Sequence, residues 1–118
     1  MDDKHGLRTA AARGIKLRDI GDRVLLENEH IRMWEVRLEP GQTLGFHIHY
    51  HPYAVLSLGG GENEIETISG KKITVHEPAG AYTFIDEMRE VHRLTNKSDV
   101  IYLSRLIEIK SVTWTAEN

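Results

Sequence analysis

No cysteine occurs in these 118 residues. Disulfides, a zinc ribbon and a thiol nucleophile are therefore excluded. An excess of positive charge is missing too: 15 lysines and arginines face 18 aspartates and glutamates, a net charge of −3 with histidine neutral. That balance gives no basic footprint for nucleic acid, and none is expected as a partner. Apolar runs are only a few residues long, so no segment can span a bilayer. The first residues, Met1-Asp2-Asp3-Lys4-His5-Gly6, hold no apolar signal core, and the expected compartment is the cytoplasm. Internal repeats and low-complexity tracts are absent. The length suits one domain with a modest core.

What is present is a period of two. Residues 1–14 are polar and small, with Ala10-Ala11-Ala12 between Arg8 and Arg13, and they read as a loose N-terminal arm with room for about one helical turn. From Ile15 onward, apolar and polar residues alternate: Trp34, Val36 and Leu38 with Glu35, Arg37 and Glu39; Ile73 and Val75 with Lys72, Thr74 and His76. Alternation of this kind means strands with one wet face. The punctuation agrees, because Glu39-Pro40-Gly41, Gly59-Gly60-Gly61, Ser69-Gly70-Lys71, Pro78-Ala79-Gly80 and Asn96-Lys97-Ser98-Asp99 are all turn chemistry. Strands are expected near 15–19, 22–27, 31–39, 43–50, 53–58, 63–68, 71–76, 81–86, 90–95 and 100–109. Residues 15–118 then form one all-β domain, a sandwich or barrel. An exposed first strand needs covering, and pairing of the arm and this strand with a second subunit in a homodimer is the simplest closure.

Chemistry concentrates in His47-Ile48-His49. Two histidines one residue apart on a strand point to the same face, about 6.6–6.8 Å apart at Cα. Both imidazoles can close on one divalent ion, and His92 is the best third ligand. The competing readings are polar filler in a metal-free barrel for the pair and a surface residue near a hairpin for His92. His51 continues the alternation but lies about 13 Å along the strand from His47, and Pro52 interrupts the ladder, so it reads as a rim residue. His76 falls on a wet face; His5 and His30 read as ordinary surface residues. Tyr53 shares parity with the histidine pair and is expected to face the same cavity.

These residues resemble the cupin superfamily. Its first motif runs glycine, five residues, His-x-His, three or four residues, glutamate, six residues, glycine. Here Gly41, His47, His49 and Gly60 fall in register, with Tyr53 at the glutamate position. The second motif ends in histidine, three residues, asparagine, which His92 and Asn96 match. Its proline and glycine slots hold Glu87 and Arg89, and six residues rather than five separate Gly80 from Glu87. The likeness covers roughly residues 28–109. The chain looks like a small bacterial single-domain cupin, and the stretch from Glu29 to the His-x-His is similar to small cupins associated with β-alanine degradation.

The resemblance implies a double-stranded β-helix (jelly roll) with a metal near the middle of the barrel. Three neutral imidazoles would hold iron, zinc, nickel or manganese, and the sequence does not choose among them. Without the glutamate the ion keeps more of its charge and favours small chelating anions, carboxylate-like or diketone-like, as in cupin dioxygenases with three histidines. Tyr53 would donate a hydrogen bond to a bound water or substrate. Asp86-Glu87-Met88-Arg89-Glu90 is ordinarily a solvated turn; alternatively Arg89 clamps a carboxylate and Glu87 serves as a base if buried. Three functions stay open: a dioxygenase-like enzyme, a non-oxidative isomerase, lyase or hydrolase with a Lewis-acid ion, and a non-catalytic small-ligand binder.

Overall fold

In the computed structural model, which describes residues 3–116, the alternating segments become nine strands behind one short helix. The helix is α1 (Leu7–Ala12), followed by β1 (Arg23–Glu27), β2 (Ile31–Leu38), β3 (Thr43–His47), β4 (Tyr53–Gly59), β5 (Glu62–Thr67), β6 (Lys72–His76), β7 (Tyr82–Ile85), β8 (His92–Asn96) and β9 (Tyr102–Ile109). They form two antiparallel sheets, ordered β1-β2-β9-β4-β7 and β3-β8-β5-β6. Early strands pair with late ones: β2 with β9, β3 with β8. This nesting is the expected jelly roll. Among the described residues no helix is long and apolar enough to cross a membrane.

Alternation on β2 and β9 sets the inner face of the larger sheet. Trp34, Val36 and Leu38 stand opposite Leu106, Ser104 and Tyr102, and all six are buried. Leu44 and Leu94 of the other sheet close on Val36, Leu38 and Tyr102. Each large apolar side chain buried here contributes about 1.5–3 kcal/mol. Asn96, at the end of the second motif, is structural: its amide donates to the Leu38 and Val100 carbonyls, and its Oδ1 accepts from the Ser98 N–H and hydroxyl.

The decisive irregularity lies in β3. Thr43 and Leu44 pair with Thr95 and Leu94, but His47 pairs with His92, so three steps on β3 match two on β8. This is a β-bulge, one extra residue that re-aims the side chains beyond it. Leu44 and His47 therefore both face the space between the sheets, which unbroken alternation would forbid. Phe46 and Ile48 turn to the outer face.

That outer face is covered by the N-terminal segment, which is packed rather than the loose arm expected from its composition. Ala10 of α1, Ile48, Ile68 and Val91 form a buried cluster, with Leu7, Ile15, Leu17, Phe46 and Met88 against it. Asp3 starts the helix by accepting the Arg8 and Thr9 N–H groups, and Gly14, at φ +69, ends it. The stretch 15–19 is extended but is no strand: it lies along β3, with the Arg18 N–H on the Phe46 carbonyl. The segment expected to present an exposed first strand instead lies against the outer edge of β3. His5, expected on the surface, is buried because its carbonyl accepts the Val91 N–H.

Gly6 sits at φ +76, and a Cβ there would press into the Ile68 side chain. Gly6→Ala is expected to lower stability by about 1–3 kcal/mol, seen as a lower urea midpoint at unchanged slope. An unchanged midpoint would mean that α1 is not tied to the sheet.

Candidate metal centre

Three histidines meet where β3 and β8 pair. His47 ends β3, His49 follows it, and His92 opens β8 directly opposite His47. They are 3, 5 and 9 % exposed. One ring nitrogen from each lies within 4.8 Å of the others. Ring centroids stand 5.1 Å apart for His47 and His49, 4.5 Å for His47 and His92, and 5.3 Å for His49 and His92. The alternation that aims these rings inward sends Ile48 and Val91, their chain neighbours, into the outer cluster.

Two rings are oriented by the backbone. His47 Nδ1–H donates to the Gly45 carbonyl at 2.7 Å, and His92 Nδ1–H donates to the Glu90 carbonyl at 2.8 Å. Each bond fixes the tautomer and leaves Nε2 with its lone pair free, the arrangement of a metal-ligating imidazole. His49 differs: its Nδ1 is buried without a hydrogen-bond partner, and its ring stacks on Tyr53 at 3.9 Å between centroids. Burial keeps all three neutral. It lowers His47 to about 3, with the neighbouring His92 adding to the effect; it sets His49 well below its ordinary value and lowers His92 too. Neutral, buried, convergent nitrogens fit a divalent cation of the nitrogen-binding kind.

The cluster forms part of the wall of a cavity of about 390 Å³ between the two sheets. Most of the remaining wall is apolar, including Val36, Leu44, Val55, Ile65, Leu94 and Leu106. Tyr53 lines it as expected, and burial pushes its phenol up to about 12, so at neutral pH it holds its proton and has it to donate. Arg89 lines it with an exposed side chain, and its charge contributes to the depression of His49 and His92. Glu87 is exposed and is not among the lining residues, so the burial that a base role required is absent. His51 turns away, its Nδ1–H donating to the Val112 carbonyl. His76 is exposed at the cavity rim, and His30 is exposed.

Two lining residues are not evident from the sequence pattern alone. Glu77, hidden in the turn before Pro78, lines the cavity, and so does Tyr102. Tyr102 is legible in retrospect from the alternation Tyr102, Ser104, Leu106, Glu108, all buried. Glu77 carries no such signal.

No family model and no curated protein matches the chain. Solved structures do. A cupin domain from Bordetella pertussis is 30 % identical, with a TM-score of 0.69 over 82 % of this chain and 99 % of that one. A conserved protein with a double-stranded β-helix domain from Klebsiella pneumoniae is 20 % identical, with a TM-score of 0.58 over 85 % of this chain and 91 % of that one. A cupin superfamily protein from Desulfitobacterium hafniense, at 13 % identity, has a TM-score of 0.54 over 79 % of this chain and 83 % of that one.

His49→Ala should abolish uptake of zinc or cobalt, read by elemental analysis after dialysis, while the far-ultraviolet circular dichroism stays that of the wild type. Retained metal would show that another ligand set holds it. For the metal-free protein the sign of the pH dependence comes from burial. Histidines depressed in the folded state are protonated first in the unfolded chain. Stability is therefore full above about 6.5 and is lost as pH falls, for His47 toward about 3 at up to about 1.4 kcal/mol per pH unit, with His49 and His92 adding loss in the same direction. A flat denaturation midpoint across that window would contradict the burial.

Proposed function

This chain belongs to the cupin superfamily, and from that premise we propose that it is a metal-dependent enzyme acting on a small chelating anion, with oxygenation as its reaction class. The observation that carries the reading is the convergence of three neutral imidazoles on the wall of a mostly apolar cavity. His47, His49 and His92 would hold the ion, which when bound supplies Lewis acidity and, as iron, the redox chemistry for using dioxygen.

The chain's own groups support the remaining steps. Arg89 offers a planar fork of N–H donors to a carboxylate arriving at the cavity. Tyr53, stacked on His49 and protonated, is placed to donate a hydrogen bond to substrate oxygen. The apolar wall around the buried Tyr53 hydroxyl strengthens the hydrogen bond it offers.

Oxygenation is preferred to a lyase for one reason. Abstraction of a carbon-bound proton by the protein needs a base beside the ion. The acid whose charge reaches the cluster, Glu90, accepts the Ser69 N–H instead and is not among the lining residues. A substrate acidified by chelation needs no such base.

The Fe(II)-loaded protein should consume oxygen with some member of a panel of 2-oxo acids, 2-hydroxy acids and β-diketones, and His92→Ala should not. Turnover by the zinc-loaded protein under nitrogen would point to Lewis-acid catalysis instead. Arg89→Gln should raise KM for carboxylate substrates about ten- to a hundredfold while sparing uncharged diketones. An equal effect on both would remove the clamp role.

A further inference from the structure

The far end of the cavity holds an acid that the chemistry above does not use. Ser57 lies four residues along β4 from Tyr53, roughly 13 Å on, and its hydroxyl donates to the Glu77 carbonyl at 2.8 Å. The Glu77 N–H in turn donates to the Gly61 carbonyl at 2.7 Å, so the backbone of this residue is fixed. Its side chain is fixed as well. Oε1 accepts from the Asn63 amide at 3.0 Å and Oε2 from the Tyr102 hydroxyl at 2.9 Å. Burial first, and the Glu77 charge second, keep that phenol protonated and donating.

Two features make this a recognition element rather than a cap. Among the described residues no lysine, arginine or histidine forms an ion pair with Glu77, which is half-buried and lines a mostly apolar cavity. A carboxylate accepts about four hydrogen bonds and this one has two from the protein. Asn63 is fully buried and is not among the lining residues, so it holds Glu77 without reaching the cavity. An acceptor left open to the cavity at this end is the Glu77 carboxylate, which a donor carrying positive charge would satisfy.

We propose that Glu77, held by Tyr102 and Asn63, binds a primary ammonium group at the tail of the ligand whose anionic head is held at the histidine end. The ligand class is a straight-chain amino acid whose amino group is remote from the carboxylate, with an apolar stretch between them lying along Val55, Ile65 and Leu94. The inference rests on the metal-centre reading for the head group; the tail is its own claim.

Calorimetry on the zinc-loaded full chain tests it with butanoate, hexanoate and octanoate, their ω-amino counterparts, and the dicarboxylates of the same lengths. At one of these lengths the ω-amino acid should bind about tenfold or more tighter than the plain acid, and the dicarboxylate more weakly than either. Glu77→Gln should erase the preference while leaving the affinity for butanoate, too short to reach the far end, unchanged, which also shows that the variant is folded. No gain from the amino group at any length, or a gain that survives Glu77→Gln, overturns the inference alone, provided that the plain acids bind the zinc-loaded protein and not the metal-free one. If none of the probes binds, the metal-centre reading and this inference fall together.

Discussion

The pairing of β3 with β8 across a bulge is the constraint on which the site depends. Strand geometry sends neighbouring side chains to opposite faces, so histidines can point inward only if the residues between and beside them are held outward. Ile48 and Val91 meet that demand by burial under α1, together with Ala10 and Ile68. The inward rings and the outward apolar cluster are two faces of the same few residues. Slipping β8 by one residue would turn His92 into the apolar cluster and pull Val91, which is fully buried there, toward the cavity. The N-terminal segment is therefore part of the site's support although it touches no ligand.

Electrostatics is set by the same geometry. Three imidazoles packed this closely cannot all be charged, and burial removes the option of solvating any of them. Gly45 and Glu90 carbonyls each take one N–H, which settles two rings and leaves the third, His49, with a buried nitrogen unsatisfied. Leaving such a nitrogen unpaired costs about 1–3 kcal/mol. A cation shared by the three exploits their neutrality, because no proton need first be displaced at neutral pH. The Tyr53 stack, in place of an acidic fourth donor, leaves the cluster without negative charge of its own.

Much of this was legible in the order of residues. The inward pair announces itself as His-x-His, and His92 as the histidine of a second strand. The alternation on β2 and β9 reads directly as a core. What could not be read was register. The bulge at Gly45-Phe46 is marked only by a glycine within the alternation, and the unbroken strand expected over 43–50 ends at His47. The expected strand at 15–19 has the right alternation, yet only one backbone bond, from Arg18, reaches β3. Alanines in a row indicate a helical turn but not where it packs; its burial depends on Ile68 and Val91, more than fifty residues away. Glu77 sits in turn chemistry beside Pro78, where an acid is ordinarily solvated, and only tertiary closure brings Asn63 and Tyr102 to it.

Both ends of the cavity are carried by the same strands. On β8, His92 and Asn96 are four residues apart; on β4, so are Tyr53 and Ser57; on β9, Tyr102 lies at the Glu77 end and Glu108 opposite Tyr53. The separation between the two chemistries is thus a multiple of the strand rise, about 3.3 Å per residue. It cannot be adjusted by loops without breaking ladders. Side chains at the ends can change what is recognised, and the apolar residues between them can change the girth of what fits. The length of a bound molecule is then a property of the sheets, while its polarity is a property of a handful of terminal groups. A polar substitution in the middle, at Val55 or Leu94, should be the least tolerated, because it places an unsatisfied group where neither end can reach it.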